Sequence, residues 1–122
     1  MAERCALVVD DDPALVAALV SNLKRLGVAA EGCFSRSEAM AYLGRKNPAV
    51  IIVDVKLPDG DGVDVTTHPA AREACVLVIT GVADSRLALR CQQNQAHLFV
   101  KSGHLWKQME PVLRQAVTRL AA

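Results

Sequence analysis

Residues Ile51 to Gly62 read IIVDVKLPDGDG. Ile51, Ile52 and Val53 form an unbroken β-branched run, the pattern of a strand buried on both faces. Asp54 stands at the carboxyl end of that run, and Pro58, Gly60 and Gly62 mark a turn beyond it. A carboxylate at the mouth of a buried strand either simply ends the strand or uses it as a rigid platform for chemistry. What surrounds it in the rest of the chain decides between the two.

Similar runs recur. Cys5–Val9 (CALVV), Cys75–Ile79 (CVLVI) and the shorter His97–Val100 (HLFV) read as strands, and Val28–Phe34 as a weaker one. Helical patterns lie between them. Asp12 is placed to cap a helix that has Pro13 in its first turn, Leu15, Leu19, Leu23 and Leu26 at helical spacing, and Gly27 at its close. Ser35 and Glu38 make a capping box for a helix expected to reach about Lys46, before Asn47-Pro48. Asp84 or Ser85 caps a helix through Leu87, Ala88 and Cys91. A last helix carries Leu105, Met109, Val112, Leu113, Ala116, Val117 and Leu120 on one face, with Pro111 as a kink or a restart. Between Gly62 and Ala74, the poor helix formers Thr66 and Thr67 and the breaker Pro69 predict a short or distorted helix.

A strand followed by a helix, five times over, predicts an α/β fold: a doubly wound (βα)5 arrangement with a five-stranded parallel sheet and helices on both faces. The length of 122 residues suits one domain, expected over 1–122. Hydrophobic residues make up 52%, which excludes a disordered chain, and aromatics only 3%, so the core must be aliphatic. A net charge of +1 with no basic stripe speaks against nucleic-acid contact. The apolar runs are too short to span a bilayer, and MAERCALVVDDD lacks the apolar core of a signal peptide, so a cytoplasmic location is expected. Cys5, Cys33, Cys75 and Cys91 form no C-x-x-C pair and read as free thiols used as small hydrophobes.

In open sheets of this kind, ligands bind outside the carboxyl ends of the strands. Those ends hold Asp10, Asp11 and Asp12, then Asp54, then Thr80 and Gly81, then Lys101. Clustered carboxylates repel one another, and a hard cation such as Mg2+ relieves the repulsion. A carboxylate can also attack a phosphoryl group to give an aspartyl phosphate. A cation, an ammonium and a hydroxyl would then share the three phosphoryl oxygens.

LVVDDDP (Leu7–Pro13), DVKLPDGDG (Asp54–Gly62), VITG (Val78–Gly81) and FVK (Phe99–Lys101), in this order and spacing, resemble the receiver domain of two-component response regulators. The resemblance covers nearly the whole chain. It implies a flavodoxin-like strand order 2-1-3-4-5, Asp54 as phosphoacceptor, and Asp10 and Asp11 as the acidic pair at a Mg2+ site that Mn2+ can also fill, with Asp11 the more direct ligand. It further implies the Lys56 backbone carbonyl as a metal ligand, Thr80 as the hydroxyl that moves toward the phosphoryl group, Lys101 as its cationic partner, and Asp12 as a helix cap. The implied partners are a sensor histidine kinase or histidine phosphotransfer protein, and a downstream protein or output domain, with no direct nucleic-acid or membrane contact. The domain would be no enzyme beyond its own phosphorylation and dephosphorylation.

The chain departs from the family pattern at three places, one of them the helix between Gly62 and Cys75, which looks shorter than usual. Ser102 follows Lys101 where the family usually has Pro, and Leu98 stands where the switch aromatic belongs, with Phe99 expected on the opposite face. Lys56 and Val82 occupy the two positions that tune signal lifetime in the family, and together they lead us to expect slow self-dephosphorylation. Leu98 and Trp106 are candidates for a partner surface.

Two other readings compete. A pseudo-receiver acting without phosphorylation draws on Leu98 and Ser102. A haloacid-dehalogenase-type phosphatase would use Asp10 and Asp12 as a D-x-D pair, but the chain lacks room for that family's cap. Asp59 and Asp61 read as turn residues, and His68, His97 and His104 have no metal-ligand spacing.

Overall fold

A computed structural model describes residues 2–121. In chain order the elements are β1 (Glu3–Val9), α1 (Pro13–Arg25), β2 (Ala29–Cys33), α2 (Arg36–Leu43), β3 (Pro48–Asp54), β4 (Cys75–Thr80), α3 (Ser85–Gln93), β5 (His97–Val100) and α4 (Leu105–Ala121). The five strands form one parallel sheet in the order β2-β1-β3-β4-β5, as the doubly wound reading requires. The order reverses between β1 and β3, so a crevice opens at their carboxyl ends, where Asp10 and Asp54 lie.

Alternate strand residues feed two aliphatic layers. Leu7, Val9, Ile51, Val53 and Val78 pack with Tyr42 and Leu43 of α2 and Leu87 and Cys91 of α3. Ala6, Val8, Val50, Ile52, Leu77 and Ile79 pack with Val16, Leu19 and Leu23 of α1 and Leu105, Met109 and Leu113 of α4. All seven residues of β3 are buried, so the strand that carries Asp54 is the best-fixed one in the sheet. Among the described residues, no helix is long and apolar enough to cross a membrane. All four cysteines are free, and burial pushes the Cys33 thiol up to about 11.

The helix caps form as the sequence predicts. Asp12 Oδ1 accepts the N–H groups of Ala14 (3.0 Å) and Leu15 (3.4 Å), and Ser35 Oγ accepts that of Glu38 (3.2 Å). Asp84, rather than Ser85, caps α3 by accepting the Leu87 N–H at 2.8 Å. Pro111 lies inside α4 without ending or restarting it.

Several boundaries differ from expectation. β1 and β3 start earlier because Glu3 donates its N–H to the Asn47 carbonyl (2.7 Å) and so extends the pairing toward the amino end of the sheet. The weak strand is trimmed to Ala29–Cys33. α2 stops at Leu43 instead of reaching Lys46, and the N–H groups of Arg45 and Lys46 both turn onto the Tyr42 carbonyl to tighten the last turn.

Residues 62–74 hold no α-helix, only 3-10 turns at Gly62–Thr67 and Pro69–Ala71. The Thr66 and Thr67 hydroxyls bond back to the carbonyls of Val63 (2.6 Å) and Asp64 (2.7 Å), and Pro69 has no N–H to continue a helix. The turn after Asp54 is a small antiparallel hairpin that pairs Lys56–Leu57 with Gly60–Asp61.

Candidate functional site

Asp10 follows β1 and is fully buried; Asp54 ends β3 and is 5% exposed. Lys101, just past β5, reaches both: its Nζ is 2.7 Å from Asp10 Oδ2 and 3.0 Å from Asp54 Oδ2. Asp10 Oδ1 accepts the Asp12 N–H at 2.9 Å, which fixes the carboxylate's orientation. Asp11 is exposed, yet one carboxylate oxygen from each of Asp10, Asp11 and Asp54 falls within a 4.8 Å group.

The residues fit a hard divalent cation. Asp10 Oδ2 is buried and faces the Lys101 ammonium at 2.7 Å. An anionic oxygen in that position, facing two more carboxylates, is a donor set for Mg2+.

The hairpin after Asp54 supplies the next side of the site. The Gly62 N–H donates to the Val55 carbonyl at 2.8 Å, so Lys56 and Asp61 form a non-hydrogen-bonded pair. Lys56 therefore turns its own N–H and C=O away from the hairpin partner, and the N–H lies 3.4 Å from Asp54 Oδ1. Gly62 is required here, because a Cβ at this position would sit 1.8 Å from the Asp54 carbonyl oxygen.

Thr80 is 5% exposed and does not bond Asp54. Its hydroxyl donates to the Val82 carbonyl (2.8 Å), and the Val82 N–H returns a bond to Thr80 Oγ1 (3.3 Å). The Lys101 N–H donates to the Thr80 carbonyl at 2.7 Å, which keeps the ends of β4 and β5 in step. Asp54, Lys56, Thr80, Gly81, Val82, Asp84 and Lys101 line one cleft of about 530 Å³.

The electrostatics follow from burial. Desolvation pushes the Asp54 carboxyl above its usual range; the Lys101 hydrogen bond opposes this and the Asp10 charge adds to it. For Lys101, burial pulls the ammonium down, but its bonds to Asp10 and Asp54 outweigh that and leave it raised. The protonated form of Lys101 is thus favoured, and the charged form of Asp54 disfavoured.

Of the sequence candidates, Asp10, Asp11, Asp54 and Lys101 converge, with Lys56, Thr80 and Val82 at the same cleft. Leu98 and Trp106 do not share a surface. Leu98 points from β5 into the α2/α3 layer, while Trp106 lies on α4 and packs with the α1/α4 layer. Phe99 joins the Trp106 side, opposite Leu98, as expected. The Lys101–Ser102 peptide bond is trans.

Sequence reasoning missed two anchors. Asp59 is more than a turn residue: its oxygens accept the N–H groups of Arg36 (2.7 Å) and Ser37 (2.9 Å) at the start of α2. Arg90 of α3 holds Asp61 at 2.7 Å. No local pattern signals either contact, since the partners are 22 to 29 residues apart.

The fold by itself places the chain among doubly wound α/β proteins with a site at the strand ends. Residues 6–111 match the response regulator receiver domain family, and the chain belongs to that family. It is 33% identical over 82 residues to the photosynthetic apparatus regulatory protein RegA of Cereibacter sphaeroides, covering 66% of this chain and 45% of the relative. The chain thus spans under half the length of that curated relative. Its fold matches a CheY-like receiver domain protein from Methanospirillum hungatei with a TM-score of 0.80, at 20% identity, over 95% of this chain and 98% of the other. A response regulator from Burkholderia pseudomallei, solved with a phosphorylated aspartic acid and a calcium ion, matches with a TM-score of 0.80 at 21% identity, over 98% of this chain and 71% of the other.

Proposed function

We propose that Asp54 is the phosphoacceptor of this receiver domain and that the donor is a phosphohistidine on a sensor histidine kinase or a histidine phosphotransfer protein. The observation that carries this reading is the Lys101 ammonium held between Asp10 and Asp54, at the mouth of a cleft that also contains Thr80. An Asp54 oxygen attacks phosphorus, an O–P bond forms, and the P–N bond to the donor imidazole breaks, with the electron pair leaving on nitrogen. Lys101 neutralises charge on one phosphoryl oxygen. The Thr80 hydroxyl, now on the Val82 carbonyl, is free to exchange that acceptor for a second phosphoryl oxygen.

Asp10, Asp11, Asp54 and the Lys56 carbonyl would hold Mg2+, or Mn2+ in its place. Bound there, the ion neutralises charge that develops on the transferring group. The Thr80 exchange is a local event that biases a two-state domain toward a downstream protein or output domain. Beyond its own phosphorylation and hydrolysis the domain catalyses nothing. Lys56 and Val82 line the cleft, where an attacking water would approach, and in this reading they slow hydrolysis.

The phosphatase alternative draws less support: Asp12, the second member of its D-x-D pair, caps α1 instead. The test is incubation with a small acyl phosphate donor and Mg2+, followed by intact mass, for the wild type and Asp54→Asn. The wild type gains one phosphoryl group and the variant none; a wild type that gains nothing, and that shows no spectral change with beryllofluoride, overturns the proposal.

A further inference from the structure

The hairpin that follows Asp54 is held from two sides. On one side, Asp59 receives the first N–H groups of α2. On the other, Arg90 of α3 places Nη1 2.7 Å from Asp61 Oδ2 and Nη2 3.8 Å from Asp64 Oδ1. A forked guanidinium reaches both carboxylates, which the single ammonium of a lysine does not reproduce. Asp61 keeps its other oxygen for the Val63 N–H at 2.8 Å, the cap of the first 3-10 turn.

Asp61 is joined to the site by two routes. It is the pairing partner of Lys56, whose N–H lies 3.4 Å from Asp54 Oδ1. It also precedes Gly62, which is packed so closely on the Asp54 carbonyl that no side chain fits. Any displacement of Asp61 therefore moves both the Lys56 backbone and the residue seated on Asp54.

Arg90 belongs to the element that starts at the Asp84 cap, two residues after Val82, whose carbonyl holds the Thr80 hydroxyl. A groove of about 480 Å³ runs from Val55, Lys56 and Thr80 to Leu87 and Arg90 and links the two elements.

We propose that Arg90 is a positioning residue for the phosphorylation site: by holding Asp61 it keeps the Lys56 backbone and Gly62 seated on Asp54. The inference rests on the assignment of Asp54 above. Arg90 touches no reacting atom. It acts by fixing the spacing between the α3 element and the hairpin, where misplacement by a fraction of an ångström weakens ion binding and phosphoryl transfer. The side chains of Arg90 and Asp61 are 42% and 38% exposed, so their pairing adds little to global stability and its effect is local.

The test compares the wild type, Arg90→Ala, Asp61→Asn and the double variant. Asp61→Asn keeps an oxygen for the Val63 N–H and removes the charge that Arg90 reads. In metal-free protein, hydrogen exchange at the Gly62 amide reports the seating of the hairpin. In a Mg2+ titration with beryllofluoride present, the half-saturation point reports the site. Arg90→Ala is expected to speed Gly62 exchange and to raise Mg2+ half-saturation by about tenfold, with the melting temperature within a few degrees of wild type. Asp61→Asn gives the same shift, the double variant gives no more than either single change, and Arg90→Lys restores part of it.

Unchanged Gly62 exchange and Mg2+ half-saturation in Arg90→Ala overturn the proposal, and so does a double variant whose effect is the sum of the singles. A wild type that binds neither Mg2+ nor beryllofluoride sinks the phosphoacceptor reading instead, and Gly62 exchange in Arg90→Ala still decides whether Arg90 seats the hairpin.

Discussion

The exits of β3 and β5 bring the two halves of the site together, and they are built differently. After Asp54 the chain is bound at every step. The Val55 N–H donates to Ile79 (3.1 Å), the Gly62 N–H returns to Val55 (2.8 Å), Asp59 caps α2, and Asp61 is held by Arg90. After Lys101 the ties are few. The Lys101 N–H donates to Thr80, and Ser102 then receives the N–H groups of His104 (3.1 Å, on Oγ) and Leu105 (3.2 Å, on its carbonyl). A Cβ added at Gly103 would meet nothing within 4 Å. The proposed nucleophile sits on the rigid exit and its cation arrives from the looser one. A reacting atom needs a fixed position, whereas a long ammonium side chain tolerates backbone play.

The largest break in this comparison is Asp54→Asn, which is expected to remove phosphorylation completely, read as the absence of any phosphoryl mass gain. Gly62→Ala attacks the rigid exit itself. Its Cβ would lie 1.8 Å from a backbone oxygen that cannot retreat, so the domain loses about 3 kcal/mol in a denaturant melt.

Lys101→Met leaves the Asp10 and Asp54 carboxylates, buried side by side, without their cation. It costs about 2 kcal/mol at pH 7, less than a fully buried pair would, because Lys101 is 28% exposed. The folded pKa of Lys101 is raised, so its stabilisation is complete below the ordinary lysine range and is lost as pH rises through the folded value. Wild type and Lys101→Met should therefore converge in stability only at strongly alkaline pH.

A smaller effect sharpens the picture from the other side. The Asp54 pKa is also raised, so the folded state favours its protonated form and the ionised carboxylate costs stability at neutral pH. Asp54→Asn should melt a few degrees higher than wild type at pH 7 in chelator. The difference should fade as pH falls below the ordinary carboxylate range, where Asp54 is protonated whether folded or not. A lower melting temperature for the variant at pH 7 would show that the Lys101 pairing outweighs burial. The smallest effect belongs to the loose exit: Gly103→Ala should stay within about 0.5 kcal/mol of wild type. An effect as large as that of Gly62→Ala would erase the distinction between the two exits.

Much of this molecule was legible residue by residue. Asp12 and Pro13 announced α1, Ser35 and Glu38 announced α2, and the β-branched run before Asp54 announced the central strand, because caps and burial periods are local rules. The ends of α2 and β2 were less legible, since a boundary depends on which carbonyl a neighbouring amide finds. The hairpin at Lys56–Asp61 read only as a turn, and Asp59 and Asp61 only as its polar residues, because their partners Arg36, Ser37 and Arg90 lie on other elements. Leu98 and Trp106 read as candidates for a partner surface, but β5 turns Leu98 into one layer and α4 lays Trp106 against the other.

By itself the sequence determined the alternation of strands and helices, and with it the placement of Asp10, Asp54, Thr80 and Lys101 at the strand ends. Both rest on periodicity and on the rule that parallel strands share one direction. Only the tertiary structure decided that Lys101 bridges Asp10 and Asp54, and that Arg90 moors the hairpin after Asp54. Those are distances between elements far apart in the chain, fixed by how the two aliphatic layers pack and by nothing local.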